Sequence, residues 1–120
     1  MLIETLNADF EHNDERGSII QLIKRGYSQI NVITSKAGAI RGGHYHIYNT
    51  EAFYIIKGQC RITATTRNER EVKSFKTGDF FRIKPYVFHN FEYIEDSIII
   101  SMYSLGIELD NGKMDSYVFA

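Results

Sequence analysis

The sequence predicts an all-β fold, and three features of its pattern support this. Its apolar residues are mainly Ile, Val, Tyr and Phe, which favour strands, and they recur in short runs that alternate with polar residues. Breaks that contain Gly or Asn, the residues that tolerate positive φ, separate these runs. No stretch has the 3.6-residue apolar period of an amphipathic helix. Short strands at regular spacing favour a sandwich or a barrel.

Five candidate strands fill the first half of the chain. Residues 18–23 follow an Asp-Glu-Arg-Gly turn, and residues 28–35 alternate Ile and Val with polar side chains up to a Lys-Ala-Gly break. Residues 40–46 end at an Ile-Tyr-Asn-Thr break. A Lys-Gly turn separates residues 52–57 from residues 60–66.

Five more candidates fill the second half. Residues 71–75 return from a charged Arg-Asn-Glu break, which we interpret as a solvated hairpin tip. Residues 80–83 follow a Thr-Gly-Asp turn, and residues 89–93 follow a Lys-Pro-Tyr bend. Residues 97–104 contain three consecutive Ile, and residues 115–119 form a further candidate after an Asp-Asn-Gly break.

Composition and charge indicate one small domain and exclude several classes of function. The chain has 120 residues, enough for a single domain, 1–120, but not for two. Its formal net charge of -1 gives no global attraction to nucleic acid or acidic lipid. Cys60 is the only cysteine, which excludes a disulfide scaffold. Without a secretory signal or the roughly 18 apolar residues of a membrane span, we expect a cytoplasmic protein with neither a membrane nor a nucleic-acid partner.

Three histidines and a glutamate have the spacing of a metal site. Residues two apart in a strand share a face, so His44 and His46 present both imidazoles on one side. If residues 47–50 form a hairpin loop, Glu51 lies opposite His46 on that face. His89 belongs to a later strand, which the wall of a barrel would bring across. These ligands suit a divalent ion, with zinc expected and iron, manganese, nickel or copper as alternatives, because ligand type alone does not name the metal.

The spacing around these residues resembles the two signatures of the cupin superfamily. Gly38, five residues, the His-Tyr-His triplet, four residues, Glu51, six residues and Gly58 match the first signature at every fixed position. The segment from Gly78-Asp79 through Pro85 to His89 resembles the second. Here the gap between the proline and the histidine is one residue short and the intervening glycine is missing.

Two further motifs narrow the resemblance to one group of cupins. The Asp-Glu-Arg-Gly-Ser segment at 14–18 and the Arg-Gly-Gly-His-Tyr-His segment at 41–46 are similar to small cupins that act on nucleotide-linked keto-sugars. These include dTDP-sugar 3,4-ketoisomerases, 3,5-epimerases and the C-terminal cupin domain of capsular-polysaccharide sugar-modifying enzymes. The resemblance runs from about residue 10 to the end. It implies a double-stranded β-helix (the cupin jelly-roll barrel), a homodimer, and an isomerase or epimerase of polysaccharide biosynthesis with substrate contacts from Arg41 and Arg16.

Two mechanisms are open for such an enzyme, which removes a proton next to a carbonyl and returns it. A divalent ion held by the three histidines and Glu51 could polarise the carbonyl. Without an ion, His44 becomes the base, and the two mechanisms exclude each other because a metal-bound nitrogen has no free lone pair. In either mechanism, Tyr93 and Tyr103 carry hydroxyls that could donate a proton.

Two other functions stay open at this point. An iron-dependent cupin dioxygenase uses the same ligand set to activate oxygen, and a non-catalytic cupin binds a sugar or small acid without turnover. The paired arginine motifs favour sugar chemistry over both. No Gly-x-Gly-x-x-Gly segment follows a strand, so we expect no dinucleotide site in this chain.

Overall fold

The computed structural model describes residues 1–118 as an all-strand domain, and this confirms the predicted all-β fold. Within those residues the strands are β1 (Ile3–Thr5), β2 (Phe10–Asp14), β3 (Gly17–Gln21), β4 (Gln29–Ser35), β5 (Ile40–His44), β6 (Glu51–Lys57), β7 (Gln59–Thr65), β8 (Arg70–Lys76), β9 (Phe80–Ile83), β10 (Phe88–Tyr93) and β11 (Ser97–Tyr103). The described part of the chain offers no helix that is long and apolar enough to cross a membrane.

Two antiparallel sheets and a separate hairpin make up the fold. The larger sheet has the strand order β1-β9-β6-β11-β4, and the smaller has the order β5-β10-β7-β8. β2 and β3 pair with each other in a third, two-stranded sheet whose residues are almost all exposed. Because neighbouring strands in a sheet are not always consecutive in the chain, the path crosses repeatedly between the two larger sheets.

The interior between the sheets is packed with aromatic and aliphatic side chains. Phe81 of β9 is fully buried and stacks on Phe75 of β8, with ring centroids 3.9 Å apart, so this pair joins the larger sheet to the smaller. Phe53 of β6 stacks on the same ring at 5.3 Å and contacts Phe91 of β10 at 4.9 Å. This aromatic core fills one part of the interior and leaves the part near the histidines open to a cavity.

The terminal segments differ from the sequence prediction. Residues 115–119 were predicted as a strand, but among the described residues Tyr117 makes only an isolated bridge with Tyr45, and Phe119 lies outside the described range. β1 and β2 were not predicted. β2 has the mostly polar sequence Phe-Glu-His-Asn-Asp and is exposed on both faces, so it lacks the alternation that reveals a half-buried strand.

Candidate functional site

The three histidines meet on the inner side of the smaller sheet. His44 ends β5 and lies directly opposite His89 of β10, and their rings meet edge to face with centroids 4.9 Å apart. His46 follows β5 by two residues, and its ring lies 4.8 Å from that of His44 and 5.2 Å from that of His89. The structure therefore brings together the three imidazoles that the sequence pattern selected.

Gly42 makes the close pairing of β5 and β10 possible. Its φ is +97°, and a Cβ atom there would lie 2.8 Å from the carbonyl oxygen of His89 and 3.3 Å from the Cα atom of Asn90. A β-bulge between His89 and Asn90 interrupts the register at the same point. Backbone contact this close leaves no room for a side chain, so glycine is required at position 42, where β5 faces His89 of β10.

Glu51 reaches the histidines from the opposite sheet, and the predicted hairpin that paired it with His46 is wrong. Glu51 begins β6 in the larger sheet, where its neighbours are Ile83 and Tyr103, whereas β5 lies in the smaller sheet. The contact forms across the interior, with 3.0 Å between His46 Nε2 and Glu51 Oε1. The two-residue period of a strand determines which face a residue takes but not which strand it pairs with. His46 and Glu51 are therefore close, as predicted, although their strands do not pair.

Backbone hydrogen bonds orient two of the imidazoles. His46 Nδ1 donates to the carbonyl oxygen of Asp115 at 2.6 Å, and His89 Nδ1 donates to the carbonyl oxygen of Val87 at 3.0 Å. Both rings consequently direct Nε2 towards Glu51 Oε1, at 3.0 Å and 3.5 Å. One ligand atom from each of the four predicted residues lies within 4.8 Å of the others.

This donor set fits a divalent transition metal. Three imidazoles and one carboxylate are the ligands that zinc, iron and manganese take in open sites, and imidazoles with a second hydrogen bond to a carbonyl are typical of such ligands. His46, Glu51 and His89 are buried and His44 is half-buried, so one side of the set faces the cavity.

Glu51 and His44 have different charges at neutral pH, because their pKa values are shifted by different causes. Burial alone would raise the pKa of Glu51, but hydrogen bonds from His46, His89 and Ser101 lower it to about 2, so the carboxylate is ionised at neutral pH. Burial, with repulsion from the other two imidazoles, lowers the pKa of His44 to about 4. His44 is therefore neutral at pH 7, as both a metal ligand and a general base must be.

Two tyrosines near the histidines and Glu51 have hydroxyl groups whose pKa is raised. Burial, followed by the negative charge of Glu51, raises the pKa of Tyr103, whose ring meets that of His46 at 5.3 Å. Burial also raises the pKa of Tyr93, which is buried on the neighbouring wall. Both hydroxyls are therefore protonated at neutral pH, and each can act as a proton donor but not as a base.

A cavity of about 240 Å³ adjoins the ligand set and contains most of the predicted site residues. Its walls are formed by Ile33, Arg41, Gly42, His44, Glu51, Phe53, His89, Phe91, Tyr93 and Tyr103. Arg41 spans from β5 to β4, since its Nε donates to Ser35 Oγ at 2.8 Å and its Nη2 donates to the Thr34 carbonyl oxygen at 3.1 Å. These bonds hold the guanidinium at the boundary with an outer groove that Lys36 and Lys57 also line.

Arg16 does not join this cavity. It lies at the tip of the β2–β3 hairpin, where its Nη2 makes an exposed ion pair with Asp14 at 2.6 Å. The residues around it belong to a separate surface depression on the hairpin. Arg16 therefore does not line the cavity of its own chain, and the structure gives no support for a substrate contact from it there.

Sequence reasoning missed two residues that support the ligands. Ser101 is fully buried in β11, and its hydroxyl donates to Glu51 Oε2. A serine at an inward position of an otherwise isoleucine-rich strand was the available signal. Asp115 is also fully buried and holds the loop that carries His46, but no local pattern distinguishes it, since its partners lie more than 60 residues earlier in the chain.

Comparison with known proteins gives one matching family and one curated relative. The polysaccharide biosynthesis C-terminal domain family matches residues 12–117. The UDP-2-acetamido-2,6-beta-L-arabino-hexul-4-ose reductase of Pseudomonas aeruginosa is 36% identical over 73 residues, which cover 60% of this chain. The aligned segment is only 18% of that reductase, so the similarity concerns a small part of a larger protein.

Solved structures of sugar-modifying enzymes share the fold. A 3,4-ketoisomerase from Helicobacter canadensis is similar over 98% of this chain and 90% of its own, with a TM-score of 0.80 and 19% identity. A sugar 3,4-ketoisomerase from Thermoanaerobacterium thermosaccharolyticum, solved in complex with TDP, is similar over 97% and 87%, with a TM-score of 0.78 and 14% identity. These similarities confirm the expected double-stranded β-helix, the jelly-roll barrel.

Proposed function

This chain belongs to the polysaccharide biosynthesis C-terminal domain family, and on that premise we propose that it is an isomerase or epimerase of a nucleotide-linked keto-deoxysugar. The observation that carries the proposal is the buried set of His46, Glu51 and His89, completed by His44, beside a cavity lined by tyrosines and an arginine. The similar ketoisomerase structures, one of which contains TDP, support the same chemistry. The reaction removes a proton from the carbon next to a carbonyl. An epimerase returns it to the opposite face of the same carbon, whereas a ketoisomerase returns it to the former carbonyl carbon while the neighbouring hydroxyl gives its proton to the former carbonyl oxygen.

The proposed cofactor is a divalent ion, with zinc expected, bound by His44, His46, Glu51 and His89. A bound ion of this kind polarises a carbonyl and stabilises negative charge that develops on its oxygen. The chain contributes the orientation, since the Nδ1 hydrogen bonds of His46 and His89 leave their Nε2 atoms facing the site. If no ion binds, the neutral His44 is the general base instead.

Tyr103 is the proposed proton donor, with Tyr93 as the second candidate. Burial and the neighbouring Glu51 carboxylate raise the pKa of Tyr103, so the phenol is protonated at neutral pH and its proton is available for return to the substrate. Tyr93 lines the same cavity. Both are ring systems that exclude water while they offer one polar atom to a bound sugar.

The size of the cavity and the cations outside it support a nucleotide-linked sugar. At about 240 Å³ the cavity is smaller than the roughly 300–1,000 Å³ of pockets that enclose a drug-sized ligand, so a sugar ring fits but a whole sugar nucleotide does not. The diphosphate would leave the cavity past Arg41 towards Lys36 and Lys57. A sugar nucleotide is too highly charged to cross a bilayer unaided, so the proposal includes a cytoplasmic enzyme.

Solvent exchange tests the proposed function directly. The zinc-supplemented protein is incubated in D2O with a panel of dTDP- and UDP-linked 4-keto-6-deoxysugars, and mass spectrometry follows deuterium on the sugar. We expect deuterium next to the carbonyl, with no oxygen consumption. Oxygen uptake that requires iron would instead identify a dioxygenase. Ligand-dependent thermal stabilisation with no exchange across the panel would identify a binding protein and exclude the isomerase.

The Tyr103→Phe variant should lose most of this exchange. Removing the hydroxyl keeps the ring that packs against His46 but deletes the proton donor, so we expect a rate lower by about 10²–10⁴-fold with little change in melting temperature. Tyr54→Phe is the matched control, because Tyr54 lies on the outer face of the same sheet. Equal rates in the two variants would rule out Tyr103 as the acid and direct attention to Tyr93.

The proposed oligomer is a homodimer formed through the outer face of the larger sheet near its edge strand β4. Ile30 and Val32 of β4 are 65% and 69% exposed, and Ile56 of β6 is exposed on the same sheet. Within the described residues β4 is paired on one side only, by β11. A two-fold pairing of this face with its copy would bury these side chains and cover the free strand edge.

Val32→Glu should convert the dimer to a monomer. A carboxylate at the centre of the proposed interface would have to be buried against apolar side chains, and both copies would carry it. The measurement is sedimentation velocity at micromolar concentration. Val72→Glu is the matched control, since Val72 is an exposed valine on β8, an edge strand of the other sheet. A monomeric wild-type protein, or a Val32→Glu protein that stays dimeric, would contradict the proposed interface.

A further inference from the structure

The segment that follows β11 folds back over the loop that carries His46. Tyr45 and Tyr117 exchange both backbone hydrogen bonds, at 2.9 Å and 3.0 Å, immediately before His46. The Asn49 side chain donates to the Gly106 carbonyl oxygen and accepts from the Gly106 amide, both at 2.9 Å, at the other end of the loop. The loop between β5 and β6 is thus attached to the C-terminal segment rather than to either of its own strands.

Asp115 is the centre of this attachment. Its carboxylate accepts the backbone amides of Ile47 at 2.9 Å, Tyr48 at 3.0 Å and Asn49 at 3.0 Å, together with the Asn49 side-chain amide at 2.8 Å. It is fully buried, and within residues 1–118 no lysine or arginine lies within ion-pair distance of it. A buried carboxylate that is held by four amide donors and by the Tyr117 side chain, outside the cavity lining, requires an explanation other than substrate contact.

The backbone of the same residue supplies that explanation. The Asp115 carbonyl oxygen accepts the Nδ1–H of His46 at 2.6 Å, so one residue holds the imidazole with its carbonyl and the three residues after His46 with its carboxylate. His89 differs, because its Nδ1 donates to Val87 only two residues away and needs no distant support. The orientation of His46 depends on a partner 69 residues further along the chain.

We propose that Asp115 is the positioning residue of His46: its carboxylate fixes the loop so that its carbonyl keeps the imidazole proton on Nδ1 and directs Nε2 to the metal site. The inference rests on the proposed role of His46 as a ligand. It adds that a residue of the C-terminal segment orients His46. The other three residues of the set have no contact with Asp115 of this kind. Hydrogen-bonded partners of this kind set the ring orientation and basicity of metal-bound histidines.

Asp115→Asn tests the proposal, with Asp110→Asn as the matched control. Both residues lie in the segment after β11, but Asp110 is exposed in a turn. In Asp115→Asn one carboxylate oxygen becomes an NH2 group, so at least one amide donor of residues 47–49 loses its acceptor and the loop is held less tightly. Nitrogen-15 NMR of the metal-free protein should show loss of the Nδ1 proton of His46 while that of His89 is retained. Competition with a chromophoric chelator should show zinc affinity lower by about 10–100-fold.

The two readouts separate this proposal from the proposed function. The His46 signal is read without metal or substrate, so it reports positioning even if the wild-type protein has no isomerase activity. A folded Asp115→Asn protein with an unchanged His46 signal and unchanged zinc affinity would show that Asp115 serves the fold alone. If Asp115→Asn does not fold, Asn49→Ala, which removes one of the four amide donors to Asp115, should shift both readouts partly in the same direction, and no shift would overturn the proposal.

Discussion

Glu51→Gln is expected to leave the protein folded and unable to retain a divalent ion. Glu51 is the only anionic member of the ligand set, and its Oε1 faces both His46 and His89 while Oε2 accepts from Ser101. A neutral amide removes the charge that attracts the ion, and its amide nitrogen cannot bind a metal as the carboxylate oxygen does. We expect metal affinity to fall by at least about 100-fold, the upper end of what loss of a mere supporting contact produces.

Elemental analysis of protein purified without chelators measures this effect. Wild-type protein should carry about one ion per chain, and the identity of that ion separates zinc-assisted isomerisation from iron and oxygen chemistry. Glu92→Gln is the matched control, because Glu92 lies on β10, the strand of His89, but is exposed beside Arg61. A wild-type protein that stays metal-free after exposure to zinc, iron, manganese and nickel would contradict the metal site and favour His44 as a general base.

The sequence predicted which four residues lie close together more accurately than it predicted which strands pair. Alternation along the strands and the spacing of four ligand residues predicted that His44, His46, Glu51 and His89 lie together, and the structure places their ligand atoms within 4.8 Å. The predicted strand pairing was wrong, because Glu51 lies across the interior from His46 and not beside it in a hairpin. Alternation is a local property of each strand, whereas pairing depends on long-range packing that no short segment encodes.

Supporting residues were the least predictable part of the site. The Asp115 carboxylate contacts a loop 66–68 residues earlier in sequence, and nothing near Asp115 indicates that it is buried. Arg41 was predicted as a substrate contact from the resemblance to sugar cupins, and it lines the cavity on the strand of His44. Arg16 was selected on motif alone. It lies on the β2–β3 hairpin, whose residues are almost all exposed. A motif alone thus did not distinguish the arginine that lines the cavity from the one that lies outside it.

Phe81→Ala should be the most destabilising single truncation in the aromatic core. Phe81 is fully buried and lies between Phe75, at 3.9 Å and nearly parallel, and Phe53, at 5.3 Å. Its contact with Phe75 links β9 to β8 and so joins the two sheets. Loss of the ring removes apolar burial and opens a cavity that rigid strands cannot close, which costs about 3–5 kcal/mol. This is a large fraction of the roughly 5–15 kcal/mol that holds a domain folded.

Urea denaturation followed by circular dichroism measures the loss, and Phe10→Ala provides the matched control. Phe10 is 53% exposed on the β2–β3 hairpin, so the same truncation there should change stability by less than about 0.5 kcal/mol. Similar losses in the two variants would show that the hairpin packs on the barrel in solution or that the Phe75–Phe81 contact contributes little. If Phe81→Ala keeps its ion at low denaturant while it unfolds earlier, His46 and His89 are held by their hydrogen bonds to the backbone and not by the aromatic core. That is the result we expect, since the Nδ1 partners of His46 and His89 are backbone carbonyls of Asp115 and Val87 rather than core side chains.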